Sequence, residues 1–75
     1  MERFKDIKFT DREWEIIYLL AKGLNNQEIA DTIFISVHTV KANLENIYKK
    51  LNLHNRVQVV LLLFRLGLLE IDKFI

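Results

Sequence analysis

Two histidines, His38 and His54, are the first places to look for metal or acid–base chemistry in this chain of 75 residues. They stand 16 positions apart with no cysteine in the chain and no carboxylate in register, a poor ligand set for a tetrahedral metal. No glycine-rich phosphate loop, cysteine nucleophile or helical histidine pair with a general base accompanies them. The expectation is therefore no metal, no cofactor and no enzyme, with His38 a surface residue and His54 in a turn. What remains is binding chemistry, and here the charge distribution speaks. Residues 36–56 carry Lys41, Lys49, Lys50 and Arg56 against Glu45, a balance of +3. Residues 10–35 carry Arg12 and Lys22 against Asp11, Glu13, Glu15, Glu28 and Asp31, a balance of −3. The net charge of the chain is only +1, so segregation rather than total charge marks a local positive field suited to an anionic partner.

These cations need a rigid element, and Ser36 to Leu51 supplies one. As a helix it places Val40, Leu44, Ile47 and Leu51 on one face, at steps of four, three and four residues. The opposite face carries His38, Lys41, Ala42, Glu45, Asn46 and Lys49. Ser36 is placed to cap the first turn through the Thr39 amide.

The remaining elements read as supports for that helix. Residues 1–9 hold five charges without a period and are read as an arm or linker end, leaving 10–75 as the domain. Thr10 with Glu13 forms a capping-box pattern that opens a first helix over about 11–23, with Trp14, Ile17, Leu20, Ala21 and Leu24 inward and Gly23 at its end. Glu13 falls at the edge of the apolar face and needs a cation, for which Arg56 is the candidate. Asn25 with Glu28 opens a second helix over about 26–34, with Ile29, Ala30 and Ile33 inward. The third helix covers about 37–51. A fourth, capped by Asn55 and stopped by Gly67, covers about 56–67. No stretch alternates with a strand period, so the fold expected is all-α with four helices. The apolar run from Val57 to Leu69 has 13 residues and includes Gln58 and Arg65, too short for a membrane span of about 20. No secretory signal is evident at the start.

Two short helices joined by a tight corner, the second polar on its outer side, form a helix-turn-helix candidate. Ala30 is small enough for a close crossing, and Ile29, Ile33, Ile35 and Val40 supply the apolar contact. The corner holds Phe34 and Ile35 where many such units have glycine. From spacing alone, DNA binding and a purely protein-contacting role both stay open.

The stretch from Thr10 to about Leu69 resembles the DNA-binding domain of the LuxR/GerE family of bacterial transcription regulators. The resemblance rests on Thr10-x-Arg12-Glu13, Leu20-Ala21-x-Gly23, Asn26-x-Glu28-Ile29-Ala30, Ile35-Ser36, Thr39-Val40-Lys41, Asn46-Ile47, Lys50-Leu51 and Arg56. It implies a cytoplasmic regulator of four helices whose third enters the major groove of double-stranded DNA and whose fourth mediates homodimer contacts. The family's base contacts map to Lys41, Ala42 and Glu45. Lys41 matches guanine O6 and N7 and Ala42 a thymine methyl, while Glu45 either accepts from the cytosine amine or stays solvated and only trims affinity. Backbone contacts map to Gln27, Val37, Thr39 and Lys49, with Asn46 and His38 beside the phosphates and Ser36 mainly a cap. Two positions depart from the pattern. Glu45 replaces a basic or neutral residue, and Gln27 replaces a lysine, so a shallow salt dependence and weak binding by a lone monomer are expected.

The fourth helix is apolar nearly all round. Val59, Val60, Leu63 and Gly67 are expected to face the core, while Val57, Leu61, Phe64 and Leu68 form a second stripe that the same contacts cannot bury. A patch of that size marks an interface, here a two-fold dimer placing two third helices about 34 Å apart. The alternative is that the N-terminal arm covers it. Members of the family usually carry a receiver or ligand-binding domain upstream, although stand-alone chains of this length exist in the GerE branch. The competing function is a helix-turn-helix module used for dimerisation or protein contact with little DNA binding.

Overall fold

The computed structural model describes residues 7–70. Within them lie four helices, α1 (Asp11–Ala21), α2 (Asn26–Ile33), α3 (Val37–Leu51) and α4 (Arg56–Arg65), and no strand. The starts follow from capping chemistry. Thr10 and Asn25 each close a reciprocal capping box with the glutamate three residues on, whereas Ser36 and Asn55 accept from the amides of Thr39 and Gln58. Each side chain satisfies an amide that has no intrahelical acceptor.

The ends fall slightly earlier than spacing suggests. α1 stops at Ala21, because Lys22 caps it and Gly23 turns away with φ 88°. α4 stops at Arg65, with Leu66 as its cap and Gly67 at φ 77°. α2 stops at Ile33, and its cap is Phe34 in the left-handed region at φ 59°. Asn52 does the same for α3 at φ 56°.

α3 packs against α1, α2 and α4, and α1 touches all three other helices. The core they share contains Ile16, Ile17, Leu20, Ile29, Ala30, Val40, Leu44, Ile47, Leu51, Val59, Leu63 and Leu69. At eight residues, α2 is too short to persist alone and depends on this burial. The inner face of α3 is as expected, with all four of its apolar residues buried.

The packing of α1 differs from the expected face. Its buried stripe is Glu13, Ile16, Ile17 and Leu20, an i, i+3, i+4, i+7 set. Trp14, Ala21 and Leu24 are half-buried at its margin. The shift arises because α1 serves three partners, so its apolar face is centred where all of them meet. On α4, Gly67 is exposed rather than facing the core, since the chain has already turned there, and Leu69 takes the core position. Phe64 is half-buried against the core, so its ring is withdrawn from the stripe expected to be exposed. Val57, Leu61 and Leu68 remain 61%, 57% and 52% exposed. The described part of the N-terminal arm does not cover them. Ile7 and Phe9 pack on the core instead, with the Phe9 ring edge-on to Trp14 at 5.0 Å. The rest of the arm lies outside the described residues. Among those described, no helix is long and apolar enough to cross a membrane.

Candidate nucleic-acid interface

α3 sorts its side chains cleanly. Val40 and Ile47 are fully buried, and Leu44 and Leu51 nearly so. His38, Lys41, Ala42, Glu45, Asn46 and Lys49 are all exposed, so the three base-contact candidates and three of the backbone candidates share one outer face. Among the described residues no carboxylate forms an ion pair with Lys41 or Lys49. Both ammonium groups are therefore available to an external anion. Lys49 also lies in the last turn, where a cation complements the helix dipole.

The start of α3 carries amide donors that could meet an anion, with some of them already committed. The Thr39 amide donates to Ser36 Oγ at 3.0 Å, and the Thr39 hydroxyl shares a hydrogen bond with the same oxygen at 2.9 Å. The Asn43 side chain donates to the Thr39 carbonyl at 2.9 Å. The amides of Val37 and His38, which precede it in the first turn, are the donors a phosphate would meet. Val37 offers only that amide, because its side chain packs against the core.

Gln27, near the start of α2, is less suited to a phosphate. Its Nε2 donates to Asp31 Oδ1 at 2.9 Å, which places a carboxylate beside the amide. The α2 start is itself held by Arg56. That side chain donates to the Leu24 carbonyl at 3.1 Å and to Asn26 Oδ1, pinning the α1–α2 loop to the head of α4.

Arg56 is therefore not the partner of Glu13. The cation at Glu13 is Lys50, with Nζ 2.5 Å from Oε1. Glu13 is 3% exposed, and the same oxygen accepts from the Thr10 amide at 2.8 Å. Burial alone would raise the pKa of this carboxyl. The Lys50 hydrogen bond and charge, with the Thr10 amide and hydroxyl, outweigh burial and hold it below the ordinary carboxylate range. Arg56 and Lys50 both lie more than 30 positions from Glu13 in the sequence, and only the packing of α3 on α1 chooses between them. Lys50 follows Lys49 directly, and the helical turn between them aims one at Glu13 on α1 and leaves the other without a carboxylate partner among the described residues, although both are exposed.

Comparison with known proteins places this arrangement. Residues 8–63 match the family described as bacterial regulatory proteins, luxR family. The chain belongs to the LuxR family. It is similar to the response regulator protein VraR of Staphylococcus aureus, 44% identical over 61 residues, covering 81% of this chain and 29% of VraR. The VraR proteins of Staphylococcus saprophyticus and Staphylococcus epidermidis match with the same figures. The fold is also that of the response regulator ChrA from a heme-sensing two-component system, with a TM-score of 0.76 and 35% identity over 92% of this chain and 35% of ChrA. The chain thus spans about a third or less of the length of these relatives. LuxR membership implies DNA-binding transcription regulation, and the family is one of regulators rather than enzymes.

Proposed function

We propose that this LuxR-type domain binds double-stranded DNA in a sequence-specific manner, with α3 in the major groove, as one half of a two-fold dimer joined through α4. The observation that carries the reading is the division of α3: its apolar face is entirely buried, while Lys41, Ala42 and Glu45 stand exposed together on the other side. Lys41 donates to guanine O6 or N7, Ala42 meets a thymine methyl, and Glu45 accepts from the cytosine amine. Lys49 and the Val37 and His38 amides hold the backbone, with Asn46 beside them. Thr39 contributes little through its amide, which Ser36 already occupies, and Gln27 little through a side chain tied to Asp31. The domain proper runs from Thr10, with residues 1–9 as an arm whose last residues lie on the domain. In the whole protein, an upstream receiver or ligand-binding domain would report a signal to it, as the response-regulator relatives suggest.

The test is a fluorescence-anisotropy titration of the full chain against labelled random duplex across a salt series. Expected is micromolar binding at low salt that weakens as salt rises, with a shallow slope because few cations reach the phosphates. Lys49→Ala should weaken binding to all sequences alike and reduce the slope by about one. Absence of binding at tens of micromolar protein would reject the reading in favour of a helix-turn-helix module used for dimerisation or protein contact. Gln27 and Glu45, which remove a cation and add an anion, are the observations on that side.

A further inference from the structure

The strongest feature that DNA contact does not account for is the tie between the chain entering α1 and the far end of α3. Lys50 Nζ donates to Glu13 Oε1 at 2.5 Å and to the Lys8 carbonyl at 2.9 Å, and lies 5.7 Å from the centre of the Phe9 ring. Phe9 in turn stands edge-on to Trp14 at 5.0 Å, and Glu13 receives the Thr10 amide. One ammonium thus holds residues 8–13 against the last turn of α3, across 42 and 37 positions of sequence. Lys41 and Lys49 on the same helix, exposed like Lys50, make no such bond among the described residues.

We propose that Lys50 is a positioning residue that sets the attitude of α3 against residues 8–13 without touching DNA. The inference rests on the proposed role of α3 in reading DNA. A helix behaves as a short rod, and Lys41 lies nine residues, roughly 13 Å, from Lys50 along it. Base recognition tolerates errors of only about 0.5 Å or 10–20°. Loosening the last turn therefore tilts the reading residues out of register, although the cation itself faces away from them.

Two readouts on the full chain test this. The first is amide hydrogen exchange of α3 without DNA. Lys50→Met keeps the apolar stem and removes the donors, and should speed exchange at residues 47–51. The second is DNA affinity across salt, measured where Trp14 fluorescence shows the variant folded. Affinity should fall about five-fold or more with the salt slope unchanged, and Lys50→Arg should recover most of it. Wild-type affinity in folded Lys50→Met would overturn the proposal, since a purely structural role ends once the chain is folded. A slope reduced by about one would also overturn it, by showing Lys50 on a phosphate. If Lys50→Met does not fold, Phe9→Leu carries the same comparison, with faster exchange and weaker binding expected and wild-type values contradicting. If the wild-type chain binds no duplex, the DNA reading has failed, and exchange alone then decides whether Lys50 holds α3.

Discussion

Among the described residues Glu13 is the charged group buried most completely, and its pairing sets a measurable pH response. Its folded pKa is held below the ordinary carboxyl value because, although burial raises it, Lys50 and the Thr10 amide outweigh that desolvation. A depressed carboxylate pKa contributes stability that is fully present above that ordinary value and is lost as pH falls through the lower folded value. Thermal melts followed by circular dichroism should therefore show a falling Tm below about pH 4.5, and Glu13→Gln should flatten that fall. At neutral pH the same substitution should cost about 1–3 kcal/mol, because it leaves Lys50 without its counter-charge. A Glu13→Gln chain as stable as wild type at pH 7, or one with the same acid profile, would contradict the pairing. The need for a partner was legible in the sequence from the position of Glu13 at the edge of an apolar face. Its identity was not, since Lys50 and Arg56 are both cations at helix boundaries and the choice depends on how α1 crosses α3. Arg56 instead serves the α1–α2 loop, a role that no local pattern announces.

At the scale of elements, the capping residues Thr10, Asn25, Ser36 and Asn55 made every helix start readable, because each acts within three residues of itself. The burial face of α1 was less readable, since three partners share it and the local period identifies a stripe without saying how wide it must be. The corner between α2 and α3 carries the clearest local conflict. Phe34 takes the left-handed conformation, and the Ala30 carbonyl accepts from both the Phe34 and Ile35 amides. Asn52 occupies the same conformation after α3, with a side chain suited to it. Phe34 has no such advantage and is 93% exposed, so its ring gains almost nothing from packing. Replacing Phe34 with Asn should relieve strain and stabilise the domain by about 0.5–1 kcal/mol, raising Tm by several degrees without weakening DNA binding. A lower Tm would show that the Phe34 ring is held by contacts in solution.

At the scale of the whole molecule, the proposed binding of DNA calls for two copies acting together. Val57, Leu61 and Leu68 leave apolar surface in the open along α4 and the turn after it, while Phe64 anchors the helix to the core between them. That α4 has two apolar sides was evident from composition. Which side holds Phe64 was not, because a large ring at the border of two stripes goes to whichever has room. Leu61→Glu should leave the fold intact, since the residue is 57% exposed, and in sedimentation velocity should yield a monomer where a dimer is expected of wild type. An unchanged mass distribution would reject the α4 interface. Among the described residues Lys41 and Lys49 are the unpaired cations on the outer face of α3, so a monomer would have little electrostatic hold on DNA, and the proposed dimer would compensate by pairing two such helices. Selection of bound sequences from a random duplex pool tests most directly the proposed reading of base edges by the outer face of α3. Wild type should enrich a pair of half-sites about one helical turn apart, and Lys41→Ala should lose preference at one position of each half-site while keeping the spacing. No enriched sequence for wild type, or the same sequence for both proteins, would contradict it.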